Sequence, residues 1–309
     1  MQLTPEARPP IGVVFDSDFG NSVDSALGLG LLYGFDARKE ARVVAVSVSN
    51  QNLKAAELAD VISHFYLRPS PIGLYADGKW TGDTPIETAP LAMQKEDGAS
   101  AFVSTIKKLN DTADPAPLIR NALTAQFDQN CVIILAGPAV DLAAMLALHG
   151  AKNIVVSKVR CLVTTEVAFA LPASKRFFNE WPTPIVIASD ARAAIVYPAS
   201  SVESDFSWSP AHPIVAAYRA YRPMPYDATV CSMAAVLYAV HPDSPYFKPP
   251  ESVPGFDGRV RKFILDPAQK DAILKVYTEI ASARPVPRAR PGPPKVEEAK
   301  PEKAAGKNQ

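Results

Sequence analysis

Short runs dense in Val, Ile and Leu alternate along this chain with longer stretches whose apolar residues recur at helical spacing. The short runs predict strands at IGVVFD (11–16), RVVAVSVS (42–49), PIGLYA (71–76), CVIILA (131–136), NIVVSKV (153–159) and TPIVIAS (183–189). Successive rather than alternate positions are apolar in them, as in strands covered on both faces of a parallel sheet. The intervening stretches predict helices near 22–34, 53–66, 99–110, 115–127 and 138–149. Further helices are expected at 212–223, 227–240 and 267–283. Regular strand–helix alternation defines an α/β class, an open and mostly parallel sheet sandwiched by helices. No internal repeat is present.

Composition narrows the picture. At 309 residues the chain has room for one large α/β domain, expected over 11–283 after a short lead at 1–10. Thirty prolines are roughly twice the usual share. Many fall in ARPVPRARPGPPKVEEAKPEKAAGKNQ (283–309), where almost nothing apolar follows Val286. Such a segment cannot bury enough surface to offset its ordering entropy, so 284–309 is expected to be a solvated tail. Acidic and basic residues balance at 32 each, which removes the electrostatic footprint of a nucleic-acid or membrane binder. Cys131, Cys161 and Cys231 form no CxxC pair and are expected as plain buried thiols. The longest apolar run, Val230 to Val240 with Ser232 inside it, is too short to cross a bilayer. MQLTPEARPP lacks the apolar core of an export signal, so a cytoplasmic location is expected unless a leader has been removed.

Chemistry concentrates where the first strand ends. Asp16, Asp18 and Asp24 crowd one strand-to-helix turn, where carboxylates repel unless a positive partner sits among them. Ligands of open α/β sheets bind beyond the carboxyl ends of the strands, which is where these acids stand. Ser22 and Asp24 are also ordinary helix starters, favoured by capping and by the helix dipole. Capping leaves Asp16 and Asp18 unexplained, and a hard cation with oxygen ligands suits them.

Two families begin in this way. VVFDSD (13–18) resembles the DxD strand of haloacid dehalogenase-type phosphatases, in which the first Asp attacks phosphorus. Phe19-Gly20-Asn21 then departs from that pattern, and Ser47, Lys152 and Asp190 are poor substitutes for its remaining groups. More of the chain resembles the inosine-uridine preferring nucleoside hydrolases. DSDFGNSVDSALGLGLL (16–32) is similar to their opening, roughly DTDxGNDVDDALAL in many bacterial members. VSVSN (46–50), VIILAGPAVDLAAML (132–146), EWPTPIVIAS (180–189) and YDATVCSMAAVLYAVHPD (226–243) resemble later segments of that family, in the right order over about residues 11 to 265.

The resemblance implies a nucleoside hydrolase-like fold and hydrolysis of the N-glycosidic bond of a ribonucleoside or related ribosyl compound, as in purine or pyrimidine salvage. It implies a Ca²⁺ that grips the ribose diol and an attacking water, beneath an oxocarbenium-like transition state. Mapped position by position, Asp18 and Asp24 become metal ligands, joined by the Val140 carbonyl and by Asp227. Asp24 also activates water, with Asp16 in support. Asn50 and Glu166 bind sugar, and Tyr226 stands where many members carry a catalytic His. The chain also departs from the pattern. Ser25 replaces the second Asp of the family's pair, a principal calcium ligand, and Ser22 replaces an earlier one. Val167 stands for an Asn in VVSKVRCLVTTEVAFALP (155–172), where the family's MGG segment is missing. The alternative is a non-catalytic descendant that keeps the fold and binds a ribosyl ligand or a partner chain. Family members are often dimers or tetramers, and no interface is identifiable in this sequence.

Overall fold

The computed structural model describes residues 9–76, 78–189, 195–256 and 258–288. Along the chain run β1 (Ile11–Ser17), α1 (Asp24–Ala37), β2 (Ala41–Val48), α2 (Leu53–Phe65), β3 (Ile72–Leu74), α3 (Pro85–Leu91) and α4 (Pro115–Thr124). Then come β4 (Cys131–Ala136), α5 (Val140–Ala147), α6 (Ala151–Lys158), β5 (Val159–Thr165), α7 (Glu166–Ala170), α8 (Lys175–Glu180) and β6 (Ile185–Ala188). The chain continues through β7 (Val196–Tyr197), α9 (Ala199–Ser204), α10 (Pro213–Tyr221), β8 (Ala228–Thr229) and α11 (Cys231–Val240). It finishes with β9 (Glu251–Ser252), β10 (Val260–Phe263) and α12 (Lys270–Ala281).

Eight strands form one sheet in the order β3-β2-β1-β4-β5-β6-β10-β9, parallel except for the β10–β9 edge pair. β7 and β8 pair separately. Through the parallel strands chain order runs outward in both directions from β1 and β4, which makes the gap between them the switch point of the sheet. Helices cover both faces. The larger core holds α1, α2, α11 and α12 against one face, and the smaller holds α4, α5, α6 and α8 against the other. α1 is buried from Ser25 to Asp36, so it is apolar all round instead of amphipathic. It is able to lie deep because Gly28 lets α11 approach: a Cβ there would meet Ser232 Cβ at 2.7 Å. Among the described residues no single helix is long and apolar enough to cross a membrane.

Polar pins hold the outside. Buried Asp36, near the end of α1, forms an ion pair with Arg68 Nε at 2.7 Å and accepts from Arg288 Nη2 at 2.9 Å and the Val43 amide at 3.0 Å. Arg68 also donates from Nη1 to the Val286 carbonyl at 2.7 Å, so residues 284–288 lie along the surface. The rest of the expected tail, 289–309, and most of the N-terminal lead lie outside the described residues.

Three expected elements differ. NIVVSKV is mostly helix α6, and the strand of this region is the following β5, from Val159 to Thr165. Gly150, at φ 76°, opens α6 directly after α5 and commits the β-branched run to a helix whose Val156 faces solvent. The stretch 99–110 is irregular with one short turn, Leu109–Asp111. There the Ser104 and Thr105 hydroxyls and the Thr105 amide donate to Asp60 Oδ2, a competing use of local groups that a helix does not satisfy. The helix expected from 227 starts at Cys231, because 228–229 are drawn into pairing with β7.

Candidate ligand cleft

At the switch point a cleft of about 290 Å³ opens above the carboxyl ends of β1, β4 and β5. Its floor is Ala136 and Thr165, its inner wall is Asp18 and Asn21 to Ser25, and its rim is Tyr221, Arg222, Tyr226, Thr229 and Cys231. The β1–α1 turn depends on Gly20, at φ 101°, where a side chain would collide with Glu87.

Asp18 is half-buried, and its Oδ2 accepts from Asn21 Nδ2 at 2.7 Å. Burial raises its pKa, and the Asn21 bond offsets part of that. Asp16 lies fully buried and does not line the cleft. Burial pushes its carboxyl up to about 7, against the hydrogen bond from Ser47 and with the charge of Asp18 adding to the rise. Ser47 Oγ donates to its Oδ2 at 2.7 Å. Buried this far, Asp16 is out of reach of a substrate phosphate, which rules out the nucleophile of the haloacid dehalogenase alternative. Asp190 of that alternative lies outside the described residues.

Asp24 faces the same cleft but serves α11. The Ser232 amide donates to Oδ1 at 3.0 Å and Oδ2 at 2.9 Å, and Ser232 Oγ donates to Oδ2 at 2.8 Å. This carboxylate caps a helix 208 residues further along the chain. Ser25, at the position of the family's calcium-ligating Asp, is buried and shares a 2.6 Å hydrogen bond with Ser17 Oγ. Asp227 is exposed, accepts from the Ala199 amide at 2.9 Å as a cap on α9, and does not line the cleft. Val140 opens α5 with its side chain exposed, and it too is off the lining.

Tyr226 lines the rim, stacked on Tyr218 at 4.4 Å between ring centres. Its hydroxyl donates to the Tyr218 carbonyl at 2.5 Å, and burial raises its pKa well above the phenolic range. That proton is held by the Tyr218 carbonyl, and the raised pKa makes the hydroxyl a weaker acid toward a leaving base. Asn50 is a brace: its Nδ2 donates to the Phe19 carbonyl at 2.9 Å, and its Oδ1 accepts from Thr81 at 2.5 Å. Glu166 pairs with Lys262 at 2.6 Å and accepts from Ser189 at 2.8 Å, at the edge of the cleft beside Thr165 and Val167.

Calcium takes six to eight oxygens, several of them carboxylate. Here Asp24 is engaged by Ser232, Ser25 stands where the resemblance expects an acid, and Asp227 is turned to α9. Among the described residues no three His, Cys, Asp or Glu side chains gather as a metal site. Among the described residues this donor set does not fit calcium. Pattern reading missed Ser232, whose polarity at the start of an apolar helix was the available signal. At the end of α10, Tyr221 and the following Arg222 form the rim, with the guanidinium 4.7 Å over the Tyr221 ring.

The fold is shared by solved structures at low identity. The type III effector XopQ, solved with adenosine diphosphate ribose, matches with a TM-score of 0.66 at 13% identity, over 91% of this chain and 96% of that one. The plant nucleoside hydrolase PpNRh1 matches at 0.62 and 13%, over 89% and 100%. The inosine-uridine preferring nucleoside hydrolase of Bacillus anthracis matches at 0.61 and 16%, over 88% and 99%. The chain thus has the nucleoside hydrolase-like α/β fold, its mostly parallel sheet flanked by helices. No sequence-family model matches it, and neither does any curated protein sequence.

Proposed function

We propose that this chain binds a ribosyl ligand in the switch-point cleft and does so without calcium-assisted hydrolysis. The observation that carries the reading is the engagement of Asp24, whose two oxygens accept three hydrogen bonds from Ser232. The carboxylate that the family pattern assigns to water activation here anchors a helix. The Tyr226 hydroxyl is likewise held by a backbone carbonyl. What remains for a ligand is Asp18, which accepts from sugar hydroxyls, the neutral hydroxyls of Ser22, Thr165 and Thr229, and an aromatic, cationic rim. A volume near the lower end of small-molecule pockets suits one ribosyl unit, with any larger group passing outward over Tyr221 and Arg222. Two comparisons support this class of ligand: XopQ was solved with adenosine diphosphate ribose, and other neighbours are nucleoside hydrolases.

Hydrolysis of a nucleoside is the second reading. It is favoured by the position of Asp18, at the cleft and with its carboxyl raised, in a fold that nucleoside hydrolases share.

The test is calorimetric titration of inosine and ADP-ribose in EDTA, beside release of p-nitrophenolate from p-nitrophenyl ribofuranoside with and without calcium. Binding in EDTA that is lost in Asp18→Asn, with no release under either condition, is the expected result. Release that EDTA abolishes would overturn the proposal in favour of hydrolysis.

A further inference from the structure

A second concave site lies at the opposite end of the sheet. β5 runs parallel to β6 with Leu162 opposite Ile185, so the first residues of β5 overhang the start of β6. On the other side Val260 of β10 also stands opposite Ile185. β6 therefore begins level with β10 and three residues in from the start of β5, which leaves a hollow beside the overhanging end of β5. Arg160 near the start of β5, and Arg259 and Arg261 on either side of Val260, all line the resulting pocket of about 410 Å³.

No ion pair between these arginines and a carboxylate is present among the described residues. Arg160 Nε donates to the Gln129 carbonyl at 3.2 Å. Arg259 donates to the carbonyls of Trp181 and Asn179, which orients its guanidinium without neutralising it. Arg160 and Arg261 are exposed, and Arg259 is half-buried. Three like charges sharing one hollow repel one another, and an anion among them reverses the sign of that energy. The chain as a whole is balanced, so this concentration is local.

The remaining lining is apolar: Pro184, Val186, Ala239, Pro242 and the Tyr238 side chain, whose ring is stacked 4.5 Å from Phe263. A pocket lined by three arginines and an apolar wall matches a ligand with a compact multiple charge and an organic body. A carboxylate brings one charge. A phosphate monoester brings nearly two at neutral pH and three acceptor oxygens, which planar guanidinium groups take in pairs.

We propose that this hollow is a second binding site, for a phosphate monoester with a sugar- or nucleoside-sized organic part. It is separate from the switch-point cleft and independent of what that cleft binds. Sugar phosphates and nucleotides both carry the chemistry, and the experiment distinguishes them.

The experiment titrates inorganic phosphate, ribose 5-phosphate and AMP into the full chain by calorimetry, then repeats with Arg160→Gln/Arg261→Gln and with Asp18→Asn. Arg259 is left intact because it also ties down the 179–181 turn. The expected result is binding of at least one organic phosphate more tightly than inorganic phosphate. Its affinity falls about tenfold or more in the double arginine variant, the scale of a charge-assisted hydrogen bond, and falls with added salt. In Asp18→Asn, which removes the cleft's own contribution to binding these ribosyl probes, this arginine-dependent component remains. Preference for AMP over ribose 5-phosphate assigns the apolar wall to a base, and equal affinity assigns it to the sugar. If the double variant does not fold, Arg261→Gln alone replaces it, since no hydrogen bond within the described residues holds that guanidinium. Failure of all three probes to bind at millimolar concentration overturns the proposal. So does affinity that survives loss of the arginines, or that disappears instead with Asp18→Asn.

Discussion

Replacing Asp24 by Ala tests whether this carboxylate is spent as a helix cap. The Ser232 amide and hydroxyl would lose their acceptors, at the N-terminus of a helix that is buried along most of its length. Loss of a capping side chain costs about 0.5–2 kcal/mol, and an orphaned buried donor about 1–3 kcal/mol. These figures describe the same bonds and are not summed. Because Asp24 is half-exposed and cleft water reaches part of the gap, about 2 kcal/mol is expected for Asp24→Ala. Asp24→Asn keeps an acceptor and gives up the charge that favours a helix N-terminus, for about 1 kcal/mol. Urea unfolding followed by far-ultraviolet circular dichroism reads both losses, with an unchanged m-value as the condition for comparison. In thermal melts Asp24→Ala should lose about 4–6 °C. A destabilisation below about 0.5 kcal/mol would refute the capping account. Calcium that raised the melting temperature of the wild type but not of Asp24→Ala would return Asp24 to a metal site.

Other expectations follow from the same structure. Asp141 is buried on α5 with both oxygens unpartnered, and burial and the charge of Asp16 push its carboxyl up to about 9. An acid whose folded pKa lies above its unfolded value leaves the folded state holding more protons, so stability falls as pH rises from about 4 towards 9. Asp141→Asn should flatten that slope and stabilise the protein at pH 8 by on the order of 2 kcal/mol, measured by urea unfolding across pH. Arg68→Ala, which strips Asp36 of a buried partner, should cost about 3–5 kcal/mol in the same assay, whereas the half-exposed Arg288→Ala should cost under about 1 kcal/mol. Millimolar calcium should leave the wild-type melting temperature unmoved. Ser25→Asp should lower it without calcium, because a buried carboxylate then replaces the Ser17 hydrogen bond.

The sheet was legible where apolar strands were long and bounded by turn residues. β1, β2 and β4 fall within a residue of their expected ends because both faces of each are covered. α6 was not legible, because Ile154, Val155 and Val156 carry strand propensity while the Gly150 turn decides the backbone. At the site, Asp18 was readable from its place after β1, since topology alone puts that position at the switch point. The partners of the other acids were not. Asp24 meets Ser232 across 208 residues, Asp227 turns to α9, and Glu166 turns to Lys262. A motif states which side chains stand near a turn, whereas the hydrogen bonds that occupy them depend on which helices pack there. Ser232 serves Asp24 only because Gly28 lets α11 come close.

The pin at Asp36 bears on how the chain can be rewired. Arg288, which it holds, lines the same hollow as Pro9, Pro10 and Arg42, and the Pro10 carbonyl accepts from Asn130 at 3.1 Å. The polypeptide thus enters and leaves the described body side by side at the foot of β1, with the whole depth of the sheet between that doorway and the switch-point cleft. A short linker joining residue 288 to residue 9 would close the backbone into a ring, and the exposed turn at Gly98 would then be a place to reopen it. Labels, surfaces or fused domains attached at the doorway would leave the cleft open to its ligand.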